Sequence, residues 1–475
     1  MKRRNFLKIG ATAGAAVALL PGPLARAATT STAAAEQVFS VPMPVPSVLR
    51  PSGNTSDGLL YTMTMAEAAV EVLPGRLTRL RTFNGQFPGP TILARRGKPV
   101  IIRQTNKLTV PTAVHLHGGH VASRDDGFPT DTIPPGDSRD YYYPNEQPAA
   151  SLWYHDHAHH REAENVFRGL AGSYLLTDEY EDQLPLPRDE YDIPLLIRGG
   201  RFDPAGNLIY DADDPDGPDH PTVLVNGRPR PYFQVAARKY RFRIANMANH
   251  QLFELRLRGG GGMIQIGSDG GLMPEPVDVG TVRLSPAERA DVVIDFSRYP
   301  LGSQIVLENT EACGDECPDV LRFDVVRAAE DTSRIPDRFA PIEDYGPPVV
   351  ERRFVLSSDV RNNRHFINGK EFDADRIDIR PKVGNTEVWT IVNADAAHRI
   401  PHSFHTHLER FKILDRNGRQ PPRSESGLKD TVAISPGETV RIKLRFHDYT
   451  GRYVYHCHIM EHNSTGMMGQ MEIQR

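Results

Sequence analysis

Close to the C-terminus the chain reads His456-Cys457-His458-Ile459-Met460-Glu461-His462, with Met467 ten places after the cysteine. Successive side chains in an extended strand point to opposite faces. Cys457 therefore faces one way, and His456 and His458 together face the other. A thiolate, several imidazoles and a later thioether are ligand types that select copper. One short strand is thus set between two separate metal centres and joins them through a few covalent bonds, a route for electrons.

Three more histidine clusters lie upstream: His115-Leu116-His117, His155-Asp156-His157, and His402-Ser403-Phe404-His405-Thr406-His407. Each contains His-x-His, which in a strand puts two imidazoles on one face. With 18 histidines in 475 residues a single such pair carries little weight. Four in this order, the last straddling a cysteine, are another matter. Together they offer ten histidines, one cysteine and one methionine. At two or three nitrogens per ion plus one Cys/Met site, about four coppers are expected. His402 lies three residues before His405, so that cluster can serve both centres. His120, His159 and His160 are read as loop or supporting residues, and His220, His250, His365, His398 and His447 have no partner spacing.

From about Val38 to the C-terminus the chain resembles three-domain bacterial multicopper oxidases, the group of spore-coat laccases, bilirubin oxidases and phenoxazinone synthases. The likeness includes the stretches Phe83-Asn84-Gly85-Gln86-Phe87-Pro88-Gly89-Pro90, Ile266-Gly267-Ser268-Asp269-Gly270-Gly271 and Pro286-Ala287-Glu288-Arg289 as well as the copper motifs. It implies a type 1 copper held by His402, Cys457 and His462 with Met467 as weak axial ligand. It implies a type 2 copper on His115 and His405. It implies a type 3 pair on His117, His155, His157, His407, His456 and His458. By the same resemblance Asp126 is the acid that helps deliver protons, and electrons enter at His462. Related enzymes often carry Glu directly after the last type 1 histidine, where this chain has Asn463. An amide cannot pass protons as a carboxylate does, and Glu461 need not replace it.

Short runs rich in Val, Ile, Tyr and Thr, among them residues 99–104, 239–244, 290–296, 386–392 and 439–446, alternate with Gly/Pro/Asp turns. That texture predicts an all-β protein of sheets packed into sandwiches. The resemblance makes these three cupredoxin-like Greek-key β-barrel domains. The expected division is an arm at 28–60, a first domain at 61–180, a second at 189–328, a connector at 329–348 and a third domain at 349–475. The second has no ligand motif and is read as a spacer. Oxygen-site ligands come equally from the first and third domains, so that site is expected in their interface.

The N-terminus carries Lys2-Arg3-Arg4-Asn5-Phe6-Leu7-Lys8, an apolar stretch from Ile9 to Leu20, and Ala25-Arg26-Ala27. This order reads as a cleavable signal at 1–27, and the paired arginines resemble a twin-arginine signal. A periplasmic or secreted protein with no membrane span in its mature form is expected. Cleavage would remove five basic and no acidic residues, making the formal charge of −4 more negative, which argues against nucleic acid as a partner. Cys313 and Cys317 form a pair suited to a small disulfide in an oxidising compartment. The alternatives are a free pair or a minor metal contact.

The expected activity is one-electron oxidation of small phenols or aromatic amines by a monomeric enzyme, coupled to reduction of O2 to water. Selectivity is assigned to loops near Arg410–Lys429. The rival reading is a cuprous oxidase that protects the envelope from copper; such enzymes often have a methionine-rich insert. The 11 methionines here are scattered, apart from Met460, Met467, Met468 and Met471.

Overall fold

The computed structural model describes residues 38–211, 220–311 and 318–475. The signal segment and the Cys313–Cys317 pair lie outside the described residues. Strands dominate, and only three short α-helices occur among the described residues: α1 (Glu162–Phe167), α2 (Glu179–Gln183) and α3 (Met460–Ser464). No helix among the described residues is long and apolar enough to cross a membrane.

The strands form six sheets, which follow one another along the chain as three pairs. A shared device recurs in each pair. Gly58–Glu71 runs parallel to Val100–Asn106, Asp192–Gly200 to Lys239–Asn246, and Val350–Asp359 to Thr386–Asn393. All three are cupredoxin-like repeats of one all-β plan. Period-two burial along their strands sends one face inward, as in Thr439–Arg445, where Val440, Ile442 and Leu444 are buried and their neighbours are not. Each pair encloses its own apolar core, centred on Tyr141 and Tyr174 in the first, Phe242 and Phe323 in the second, and Trp389 and Phe404 in the third.

The stretch read as an arm is tied down from its first described residues. Phe39 and Met43 donate backbone hydrogen bonds to Arg230 and Tyr232 in the second sheet pair, and Leu49 pairs with Thr91 in the first. Strand structure begins at Gly53, inside that stretch. Chain that looks like a linker by composition is held here by backbone donors that find acceptors on two sheet edges.

A further apolar cluster contains Trp153, Ala163, Val166, Leu196, Ala245, Met247, Ala287 and Met460. Its members come from all three pairs. It fixes the pairs against one another beside the histidine clusters.

Candidate metal centres

Strand pairing assembles the histidines. In the first sheet pair His115 sits opposite His155 across Val114–His117 and Ala150–Asp156. In the third, His405 sits opposite His456 and Phe404 opposite Cys457, across His402–Thr406 and Gly451–Cys457. Each antiparallel register brings two His-x-His pairs onto one face. The two faces meet. His115 stacks on His407 with ring centroids 3.8 Å apart, and His117 stacks on His405 at 3.8 Å. His157 Nε2 lies 3.2 Å from His407 Nε2, which lies 3.4 Å from His456 Nε2. His458 packs 4.9 Å from His117 and 5.2 Å from His155. Every one of these eight rings is buried.

Alternation sends Cys457 the other way, into the core with Phe404 and Met467. Its Sγ lies 3.6 Å from His402 Nδ1 and 3.6 Å from His462 Nδ1, and the two nitrogens are 3.2 Å apart. Met467 is fully buried beside them; its carbonyl accepts from Cys457 N at 3.0 Å and its N–H donates to His462 O at 2.9 Å. His462 is the most exposed of the four, at 8%.

The ring nitrogens show which atoms are free to bind. His115 Nδ1 is used by Asp126 O (2.6 Å), His405 Nδ1 by Asp430 O (2.8 Å), and His155 Nδ1 by Asp156 O (2.8 Å). Each Nε2 then has no protein partner, although buried. His117 is reversed: Nε2 pairs with Asp430 Oδ1 at 2.9 Å and Thr431 Oγ1 at 3.1 Å, leaving Nδ1 unpartnered. His458 has neither nitrogen satisfied. Orphaned buried nitrogens are costly, at roughly 1–3 kcal/mol each. So many converging at one place fit a cation site whose ligand tautomers are set by outer hydrogen bonds. Burial also disfavours protonation. It lowers His115 to about 3 and His456 to about 4, and with the neighbouring imidazoles it holds His117, His155, His157, His405 and His407 well below the ordinary value. Neutral imidazole is the ligand form. Burial pushes the Cys457 thiol up to about 12. A bound cation would have to displace that proton, so loading is coupled to proton release. The donor set, eight imidazoles in one place and Cys, two His and Met in the other, is the one copper prefers.

Asp126 is fully buried beneath the first centre. Its Oδ2 accepts from His407 Nδ1 at 2.7 Å, while Oδ1 makes no hydrogen bond and lies 3.6 Å from His115 Nδ1. Burial raises its pKa well above the usual carboxyl value. Gly127 makes the turn possible: its φ is 76°, and a Cβ would lie 2.2 Å from Val114 O. That turn aims the Asp126 carbonyl at His115.

Several residues of the site escaped the sequence reading. Asp430 orients His117 and His405, and Arg289 from the second sheet pair clamps its carboxylate through two bonds of 2.7 and 2.5 Å. The spacer therefore reaches the centre through that guanidinium and through Asp269 Oδ2, which accepts from Asp430 N at 3.4 Å and Thr431 N at 3.3 Å. Such a buried pair adds little net stability, but it fixes the carboxylate's direction. Gly118 yields the room, since a Cβ there would lie 2.6 Å from Asp430 Oδ2. Asp395 accepts from His402 Nε2 at 2.9 Å, and His365 stacks on His462 at 4.1 Å. Arg289 stands in a motif already noted; nothing local marks Asp430, Asp395 or His365. By contrast His159 and His160 make no hydrogen bond to a candidate ligand: His160 pairs with Ser464 O, and His159 Nδ1 has no protein partner. His120 pairs with Asp448 at 2.7 Å.

Comparison with known proteins gives the same direction. Family models described as multicopper oxidase match residues 64–181 and 345–475. A laccase of Bacillus stratosphericus is 36% identical over 505 residues, covering 91% of this chain and 98% of the relative. The bilirubin oxidase of Albifimbria verrucaria is 34% identical, covering 91% of this chain and 80% of its own. The crystal structure of a laccase from Pediococcus acidilactici superposes with a TM-score of 0.86 at 33% identity, covering 91% of this chain and 94% of that one. Similarity of this extent, on a chain whose histidine pairs converge as they do here, makes the protein a laccase-like bacterial member of the multicopper oxidase family and a copper-binding oxidoreductase.

Proposed function

We propose that the enzyme oxidises small phenols or aromatic amines one electron at a time beside His462 and reduces O2 to water between the first and third domains. The domain limits proposed are 61–180, 189–328 and 349–475, with 28–60 as an arm and 329–348 as a connector. In this reading the chain holds four coppers: one type 1 ion on His402, Cys457, His462 and Met467, one type 2 ion on His115 and His405, and a type 3 pair on His117, His155, His157, His407, His456 and His458. Copper supplies one-electron redox change at each ion, and together the four equivalents that O2 takes up. The observation that carries the reading is the meeting of eight buried imidazoles, six of them with an unpartnered ring nitrogen, beside the strand that holds His456 and Cys457.

The protein's own part is positional. The partly exposed edge of His462 is the contact for an electron donor, and loops near Arg410–Lys429 select it. The backbone from Cys457 to His456 and His458 links the two centres through bonds. Asp126 holds a proton at its free Oδ1 while Oδ2 orients His407. Burial of the eight rings keeps bulk water out.

The burial of the methionines favours aromatic donors over cuprous ion. Met460, Met467, Met468 and Met471 are each at most 1% exposed, so none of the four offers a thioether at the surface near His462. Steady-state oxygen uptake with a phenol panel against Cu(I) separates the two substrates.

Replacing both His155 and His157 by Ala should leave the blue absorption of the type 1 centre while oxygen uptake stops. Absorption spectra, copper content and an oxygen electrode check this, and normal uptake by the double variant would remove the assignment. We further propose export by the twin-arginine route to the periplasm or medium as a monomer, with cleavage after Ala27. Mass spectrometry of the exported protein should give an N-terminus at Ala28; an intact Met1 would point to an uncleaved anchor.

A further inference from the structure

The position after His462 holds Asn463, and Asn463 is fully buried with neither its Oδ1 nor its Nδ2 partnered by protein. One helix away, Glu162 on α1 is also fully buried, with Oε2 accepting from the Arg161 N–H at 3.1 Å and Oε1 without a protein partner. The two helices pack together. Ala163 N–H meets the hydroxyl of Ser464, the residue after Asn463, at 3.4 Å. Ser464 is also a hydrogen-bond neighbour of the Glu162 carboxyl.

Three buried polar atoms without protein partners on one helix contact call for ordered water, since leaving each unmet costs roughly 1–3 kcal/mol. The other acids nearby are engaged by protein through at least one oxygen. Asp156 accepts from Ala113 N, Ala158 N and Asn165 Nδ2 at 3.0, 3.2 and 2.8 Å. Glu164 pairs with Arg81 and Arg168. Glu461 faces the second domain, taking the Asn249 amide at 2.8 Å. Among these acids Glu162 is the one that is fully buried with an oxygen free of hydrogen bonds; the partly buried Glu461 also leaves its Oε2 without one, 3.8 Å from His250 Nδ1. The seam has two ends. Outside, exposed His160 pairs with Ser464 O at 2.8 Å. Inside, Ala163 and Met460 pack on Trp153, which lies 4.3 Å from His155 and 5.5 Å from His458.

We propose that Glu162 and Asn463 line a water-carried proton path along the α1–α3 contact toward the histidine cluster, with Glu162 holding the proton and Asn463 positioning the water. This rests on the oxidase reading above. Reduction of one O2 to two waters takes four electrons from the donor and four protons from solvent. Glu162 gives the proton on Oε1 to water on the inner side and takes one back from the outer side, so it is unchanged over a cycle. Burial raises its pKa to about 8, which fits a carboxyl that carries a proton at neutral pH. The carboxylate absent at position 463 is thus supplied from α1, one helix across.

The test uses the full chain. In copper-free protein at neutral pH, the infrared carbonyl stretch of protonated carboxyl should lose intensity in Glu162→Gln. In loaded enzyme the same variant should reoxidise with O2 roughly 100-fold more slowly, while anaerobic bleaching of the blue band by donor keeps its rate. Glu162→Asp, or Asn463→Glu added to Glu162→Gln, should restore reoxidation. An unchanged infrared band, an unchanged reoxidation rate, or a slow variant that neither change rescues would overturn the proposal. A wild-type protein that takes up no oxygen would instead overturn the oxidase reading.

Discussion

Cys457→Ser should abolish both the blue colour and the oxidase activity while leaving the fold intact. The sulfur is the point where His402 Nδ1 and His462 Nδ1 converge, each at 3.6 Å, and it ends the strand that carries His456, with His458 next in the chain. A hydroxyl at that place is neither a soft ligand nor a source of an intense charge-transfer band. Electrons then have no entry, and turnover falls to background. Stability is a separate matter. Serine is close to cysteine in size, so no cavity opens; the cost is one buried hydroxyl, about 1–3 kcal/mol if it finds no partner. Set against a typical net stability of about 5–15 kcal/mol, that leaves the chain folded. Visible absorption, oxygen uptake and thermal unfolding measured together distinguish the effects. A serine variant that stays blue and active would remove the type 1 assignment.

Much of this site was legible because its information is local. The spacing in His-x-His is a statement about one strand, and alternation turns it into a shared face. The same rule separates Cys457 from His456 and His458 without any tertiary knowledge. Register could not be read that way. That His115 lies opposite His155, and His405 opposite His456, depends on which strands pair and how far each has slid. The supporting residues were hidden for a related reason. Arg289 and Asp430 are 141 residues apart and are joined only by folding. His365 had no partner spacing, yet it stacks on His462 across the third core. The early strand at Gly53, which pairs back on Gly58–Leu60, was concealed by the Pro and Ser around it, and the pairing of Pro42 and Val48 with distant edges left no mark in composition. Asn463 was the reverse case. The sequence marked it as a departure, and only the packing of α1 on α3 brought the buried Glu162 to the same helix contact.

Asp126→Asn should cut turnover by about two orders of magnitude, the loss expected when a proton-transfer group is removed. The substitution is nearly isosteric. The introduced amide would still present an oxygen to His407 Nδ1, and the backbone carbonyl of the same residue would still receive His115 Nδ1, so both rings keep their tautomers. What disappears is a carboxyl able to hold and release a proton at Oδ1, the atom that makes no hydrogen bond in the wild type. Burial raises the pKa of Asp126 and so favours its protonated form, whereas the amide has no such proton to give. The two half-reactions separate the cause. Bleaching of the blue band by donor without oxygen uses His462 and Cys457, at the other centre, and should keep its rate. Recovery of the band on mixing with oxygen should slow by the full factor. Copper content should equal that of the wild type. If recovery is as fast as in the wild type, Asp126 only orients His115 and His407, and the protons reach the cluster by another path, for which the Glu162 seam offers a fully buried carboxyl with an oxygen free of hydrogen bonds.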